Sequence, residues 1–163
     1  MQTSGDLQTT AFLADAMLGR LARWLRVLGT DALQLPLETP DAVLVERARV
    51  DHRVLLTRDR HLIRELRPER VWAVRSEVPL EQLASVVHEF ELQRPAELMT
   101  RCLVCNSPLL ELGPDAARSA LPPSARGLPG PVRYCPTCSR VYWRGSHVRR
   151  MEAALAAVLP EWR

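Results

Sequence analysis

The chain has 163 residues, room for one ordinary domain or one domain plus a small module, and its apolar and charged contents are those of a globular protein rather than a disordered one. No apolar run reaches the ~18 residues that a membrane span needs, and Met1 to Thr10 lack the basic-then-apolar order of a signal peptide, so the sequence predicts a cytoplasmic protein with no membrane partner and a flexible tail over residues 1–10. The net charge of +3 is uneven: residues 1–100 carry 13 Arg against 15 acids, and residues 101–163 carry 9 Arg against 4 acids. The acidic part suits cations and the basic part suits phosphates. There is no lysine. Genomic composition bias accounts for that, although guanidinium also suits bidentate contact with phosphate.

Phe12-Leu13-Ala14 is a short apolar run that stops at Asp15, and it reads as a buried strand. Leu18, Leu21, Leu25 and Leu28 then recur at helical spacing, with Gly29 as the stop and Arg20, Arg23 and Arg26 on the opposite face. Ala32 to Leu35 reads as the second strand. Thr39-Pro40-Asp41 predicts a helix start with Thr39 as the cap, and the helix runs to about Arg49 with Leu44 and Ala48 inward. Val54 to Thr57 is the third strand, closed by Asp59, with a short helix around His61 to Leu66. Val71 to Val74 is the fourth strand, and Pro79 opens a helix that buries Leu80, Leu83, Ala84 and Val87. Trp24 and Trp72 are expected in the core. Short apolar strands alternating with amphipathic helices predict an α/β fold, a parallel sheet flanked by helices, over residues 11–95.

After Arg94-Pro95 the composition changes. Residues 96–145 hold two cysteine pairs and a Pro/Gly/Ser-rich stretch from Gly113 to Pro131, which predicts an irregular, mobile loop. A final helix over 146–163 follows, with Ser146 as its cap and Val148, Met151, Leu155 and Val158 aligned. Cys102, Cys105, Cys135 and Cys138 form two CxxC pairs with 29 residues between them. Each pair points two thiolates from one tight turn at one ion, and two turns complete the tetrahedral sulfur shell of a structural Zn²⁺. Redox cysteines are the alternative that a lone CxxC would leave open. His147 lies on the following helix and is left out of the shell.

Asp15 ends the first strand and Asp59 the third, so a parallel sheet brings them to one edge although they are 44 positions apart. Asp41 opens the helix that returns to the third strand, and a short loop over 36–40 places it near the same edge. Carboxylate and water ligands favour Mg²⁺ or Mn²⁺. Arg20, Arg23 and Arg58 are neighbours in sequence that suit substrate phosphates. An aspartate after a strand also serves as a helix cap, and that alternative stays open for each of the three.

The run Phe12-Leu13-Ala14-Asp15-Ala16-Met17-Leu18-Gly19-Arg20-Leu21-Ala22-Arg23-Trp24-Leu25-Arg26-Val27-Leu28-Gly29 resembles the opening of the PIN-like ribonuclease family first described at the C-terminus of the Mut-seven exonucleases. Leu55-Leu56-Thr57-Arg58-Asp59-Arg60 resembles that family's second acidic motif. Arg101 to Asn106, Cys135 to Cys138 and Tyr142 to His147 resemble its zinc-ribbon tail. The resemblance covers residues 11–159. It implies a PIN-like parallel sheet, an acidic site holding Mg²⁺ or Mn²⁺, hydrolysis of single-stranded RNA, and a zinc ribbon. Asp15 and Asp59 fall on matching motif positions, and Asp41 matches the acid that opens the helix before the last acidic strand in related PIN-like proteins. Asp31 also matches a family position and is read as structural. Classical PIN domains have a further helix glutamate, for which only Glu38 and Glu46 are candidates here.

Two functions from different classes follow. The first is a Mg²⁺- or Mn²⁺-dependent endoribonuclease with Asp15, Asp41 and Asp59 as its catalytic carboxylates. The second is a non-catalytic RNA- or ribosome-binding adaptor that uses the basic ribbon with Arg20 and Arg23; a homo-oligomer contact is compatible with either. Tyr142, Trp143 and His147 either stack on RNA bases or pack the ribbon core. No nucleotide-binding glycine loop is present.

Overall fold

The computed structural model describes residues 10–162, and the tail expected over 1–10 lies outside them except for Thr10. Four short strands, β1 (Phe12–Ala14), β2 (Ala32–Gln34), β3 (Val54–Thr57) and β4 (Val71–Ala73), form one parallel sheet in the order β2-β1-β3-β4. The central strands β1 and β3 are buried throughout, as strands covered on both faces must be. Their alternation assigns the faces. Phe12, Ala14, Val54 and Leu56 enter one core, and Leu13 and Leu55 enter another.

The first core is covered by α1 (Gly19–Val27), α4 (Pro79–Glu89) and the final helix, α6 (Ser146–Val158). Leu21 and Leu25 of α1, Leu83 and Val86 of α4, and Met151 and Leu155 of α6 all lie within it. Phe90 joins the layers edge-on to Phe12, with ring centroids 5.1 Å apart, and edge-on to Trp72 at 6.1 Å. The second core is smaller and lies under α2 (Asp41–Val50) and α3 (Arg60–Leu66), which contribute Leu44, Ala48 and Leu62. The result is a sheet between two helical layers.

The remaining segment carries a three-stranded antiparallel sheet of β5 (Leu110–Glu111), β6 (Arg133–Tyr134) and β7 (Val141–Tyr142). Between β5 and β6 the structure differs from the expected irregular loop. Pro114–Ala120 forms α5, Pro123–Ala125 forms a 3-10 turn, and Leu121, Ala125 and Val132 are buried against Trp143. Pro114 stands at the first helical position, where its missing N–H costs nothing.

Helix ends also depart from expectation. Pro40, not Thr39, occupies the N-cap of α2, and Gly145, not Ser146, that of α6; neither helix has a side-chain cap. Gly29 follows the cap of α1 with φ +77°, and a Cβ there would collide with Thr100 Oγ1. Arg26 does not share the solvent face of Arg20 and Arg23. At 100° per residue it lies about 120° round the helix from Arg20, and it is buried, 4% exposed.

Candidate active site

The strand order reverses direction between β1 and β3, and their C-terminal ends open the crevice where ligands bind in sheets of this kind. Asp15 follows β1, Asp59 follows β3, and Asp41 is the first residue of α2. All three line one cleft of about 120 Å³, walled by Met17, Leu37 and Leu62 among others. The segment that delivers Asp41 is short because Pro36 to Thr39 turn tightly, with Thr39 N–H donating to Pro36 O at 3.0 Å.

The three carboxylates differ in what holds them. Asp15 is buried. Its Oδ1 accepts from Met17 N–H at 2.9 Å, and its Oδ2 accepts from the Thr57 hydroxyl and from Arg58 N–H at 3.4 Å. Asp59 caps α3, with Oδ1 accepting from His61 N–H at 2.8 Å and Leu62 N–H at 3.0 Å. Asp59 N–H in turn donates to Thr57 Oγ1 at 3.0 Å, so one hydroxyl joins both strand-end aspartates. Asp41 is exposed and caps nothing. The carboxylates of Asp15 and Asp59 thus do the work of helix caps while facing the cleft. Among the described residues, the four cysteines are the one group of three or more His, Cys or acidic side chains whose ligand atoms all lie within 4.8 Å of one another, so the three aspartates are more widely spaced.

The arginines are placed differently from one another. Arg20 and Arg23 are exposed on α1 and form no ion pair among the described residues, whereas Arg58 is bonded to Glu77. None of the three lines the cleft. Glu46 pairs with Arg49, and Glu38 is exposed on the turn before α2. Two supporting residues escape a reading by spacing. Thr57 carries its signal only in its position two residues before Asp59. Gln34, at the end of β2, donates to the carbonyls of Asp15 and Ala16 at 3.4 Å each. It packs so close to Gly19 that a Cβ there would come within 3.1 Å of Gln34 Nε2.

The four cysteines form a second centre that could hold zinc. Sulfur separations are 3.4 Å for Cys102–Cys138, 3.3 Å for Cys105–Cys135 and 3.8 Å for Cys105–Cys138. Four Zn–S bonds of about 2.3 Å in a tetrahedron require separations of about 3.8 Å. The two turns repeat one design. Asn106 N–H donates to Cys102 O and Ser139 N–H to Cys135 O, at 3.0 and 2.8 Å. Asn106 and Ser139 both adopt positive φ. Burial raises the Cys102 thiol, but hydrogen bonds from backbone N–H groups, the Tyr142 hydroxyl and Cys138 outweigh it and hold the thiol down to about 6. Burial and the neighbouring thiols push Cys138 up to about 12. Four thiols held this close give up their protons to a divalent ion and bind it as thiolates. His147 is exposed on α6, outside the cluster.

The ribbon docks at the opposite edge of the sheet from the aspartates. Arg26 donates to Ala32 O at 2.8 Å, Leu103 O at 3.1 Å and Val104 O at 3.0 Å. Asn106 Nδ2 donates to Asp31 at 2.7 Å, and Asn106 Oδ1 accepts from Ala32 N–H at 3.1 Å. These contacts meet the sheet where β2 begins, while the cleft lies where β1 and β3 end. A larger cavity of about 550 Å³ runs between residues 94–99, the ribbon and α6, past Trp143 and Trp162. Arg133 and Arg144, which line it, are bonded to Glu97 and Glu152. Both of its acids are therefore paired with arginines, and it holds no set of acids like the smaller cleft.

No helix among the described residues is long and apolar enough to cross a membrane. No curated protein and no solved structure matches the chain. The family model described as Mut7-C RNAse domain matches residues 10–155, a span that takes in the acidic cleft and all four cysteines. The chain belongs to the Mut7-C RNAse domain family, and its function is of the ribonuclease type.

Proposed function

We propose that the chain is a metal-dependent endoribonuclease acting on single-stranded RNA, with Asp15, Asp41 and Asp59 as the carboxylates of a Mg²⁺ or Mn²⁺ site. The observation that supports this is the convergence of three aspartates from three elements on one cleft at the reversal point of the sheet. The donor set is all carboxylate oxygen, which suits a hard divalent ion. Asp59 Oδ2 has no hydrogen-bond partner among the described residues, and Asp41 is free in solvent. Asp15 keeps spare acceptor capacity after three bonds. Direct ligands of one Mg²⁺ lie within about 4.2 Å of one another, and this ion retains several waters, so the wider spacing of the three fits a site in which some carboxylates act through water.

An ion in this cleft would supply Lewis-acid polarisation of the phosphate and activation of a water for attack. The chain's own residues do the positioning. Thr57 and the backbone of Met17 fix Asp15, and the first turn of α3 fixes Asp59, so two carboxylates are held without cost at the moment of reaction. Asp41, exposed at the start of α2, is the third. Arg20 and Arg23 on α1, and Arg58 once released from Glu77, take phosphates of the strand beside the cleft. We assign the ribbon a structural part, with Zn²⁺ in the Cys102, Cys105, Cys135 and Cys138 shell, and a cytoplasmic setting belongs to the same proposal.

A second reading, a non-catalytic RNA-binding adaptor, is favoured by one observation. Asp15 and Asp59 already have structural partners as caps, and the three aspartates lie farther apart than the cysteines do. Labelled single-stranded RNA incubated with Mn²⁺ or Mg²⁺ separates the two. Cleavage by the wild type that Asp15→Asn and Asp59→Asn abolish, with RNA affinity equal or higher in Asp59→Asn, is the expected result. Variants are the better control than chelation, which would also strip the cysteine site. RNA bound without cleavage under every ion condition, with affinity falling steeply as salt rises, would establish the adaptor.

A further inference from the structure

Soluble proteins scatter single apolar side chains over their surface, so exposure alone means little. The distribution here is not scattered at its upper end. Leu37 at 73% and Met17 at 69% exposure are the two most exposed large hydrophobic side chains among the described residues, and both line the cleft of Asp15, Asp41 and Asp59. Neither position is a loose loop. Met17 is the middle residue of the 3-10 turn Ala16–Leu18, pinned by its own N–H to Asp15 Oδ1 and by Leu18 N–H to Asp15 O at 3.1 Å. Leu37 is the second residue of the turn closed by Thr39 N–H on Pro36 O, between the ring of Pro36 and the start of α2. Two apolar groups are thus presented in fixed positions beside an otherwise acidic site, with the unpaired cations Arg20 and Arg23 on the adjoining helix.

A bare phosphodiester has no use for them, because it is polar at every edge. A nucleobase does, because it has an apolar face that water leaves readily. That face is exposed only in an unpaired, unstacked strand, since in A-form duplex it is covered by its neighbours. Acids for the reacting phosphate, apolar groups for the base and arginines for the flanking phosphates are the three chemistries of one nucleotide step. We propose that Met17 and Leu37 grip a nucleobase of the RNA next to the phosphate at the aspartates, and that this grip is what selects an unpaired strand. The inference rests on the ribonuclease reading above and names the part of the substrate that the site recognises.

The test is binding, measured by fluorescence anisotropy without added Mg²⁺ or Mn²⁺, using the full chain. Three probes of equal length serve: an unpaired RNA, the same strand with abasic riboses at its centre, and its duplex. Wild type should bind the unpaired strand about tenfold tighter than the abasic one, the scale of one base contact. The double variant Met17→Ser, Leu37→Ser should lose that preference and bind the abasic strand as the wild type does. Both side chains are exposed, so an unchanged melting curve checks the fold. A variant that keeps the full preference, or a wild type that binds intact, abasic and duplex RNA alike, overturns the proposal. A cleavage assay with Mn²⁺ in parallel reports on the nuclease reading separately. Base-dependent binding without cleavage sinks that reading and leaves the grip, whereas cleavage with an indifferent double variant sinks the grip alone.

Discussion

Thr57 joins Asp15 to Asp59. Its hydroxyl donates to Asp15 Oδ2 and accepts from Asp59 N–H, and it is fully buried while doing so. Thr57→Val keeps the shape of the side chain and removes both bonds. The buried Asp15 carboxylate would then depend on Met17 N–H and the long bond from Arg58 N–H. A buried acceptor stripped of a partner costs about 1–3 kcal/mol, so the urea midpoint should fall by the equivalent amount. If the aspartates are catalytic, kcat should fall with it and KM for RNA should change little, since no group facing the strand has been removed. A variant with wild-type stability and activity would show that the hydroxyl does not hold the carboxylates. Thr57 illustrates what a sequence conceals at this scale. An acid at a strand end is visible as a charge in an apolar run, but the neutral group that orients it looks like any other buried β-branched residue until the two strands are laid side by side.

The ribbon is the element least able to fold alone. Each of its strands is two residues long, and the cluster beside them contains three buried residues, Leu121, Ala125 and Val132. A core of that size supplies little stability, and the four thiols within 4.8 Å of one another supply the rest only when an ion neutralises them. Cys135→Ser should therefore remove hydrogen-exchange protection from the β6–β7 pair while β1 and β3 keep theirs. Equal protection in variant and wild type would show that the ribbon stands without its metal centre. The centre itself was legible from two CxxC pairs, because the turn that aims both thiolates is encoded within four residues. So were the four strands of the main sheet, each a short apolar run with a polar stop. α5 was not: the prolines around it read as breakers, although Pro114 at the first position of Pro-Asp-Ala-Ala-Arg-Ser-Ala is a start signal. The caps of the helices that start at Asp41 and Ser146 were each anticipated one residue off, early at Thr39 and late at Ser146, since both side chains have capping chemistry that the backbone does not use.

At the level of the whole molecule the two centres occupy opposite edges of one sheet, and a polar joint connects the ribbon to that sheet. Asp31 bridges Arg53 at 2.6 Å, receives Asn106 at 2.7 Å and lies 3.7 Å from Arg101. Arg53 also donates to Phe12 O at 3.1 Å, so the joint reaches the first residue of β1. Burial raises the Asp31 carboxyl, but the hydrogen bonds of Arg53 and Asn106 and the charges of Arg53 and Arg101 outweigh it, and the net effect is a carboxyl held below its ordinary value. The sign of the linkage follows. As pH falls the unfolded chain takes up this proton before the folded one does, so the joint contributes fully above the ordinary Asp value of about 3.9 and is lost as pH falls through the lower folded value. Asp31→Asn removes the charge at every pH. With both partners part-exposed, the difference from wild type at pH 7 should be about 1 kcal/mol, discounted for solvent screening. That difference should shrink as pH drops below about 4 and close only once pH has passed the lower folded value, where wild-type Asp31 is also neutral. Acid displaces metal from a cysteine centre in both chains alike, so comparing the two chains isolates Asp31. A difference that is absent at pH 7, or that persists unchanged in acid, would mean that Arg26 and the backbone contacts of Asn106 seat the ribbon on their own. The same comparison bears on the cleft. If loosening the joint at one edge leaves RNA cleavage at the other edge intact, the ribbon stabilises the sheet without shaping the site, as its position a full strand-length away requires.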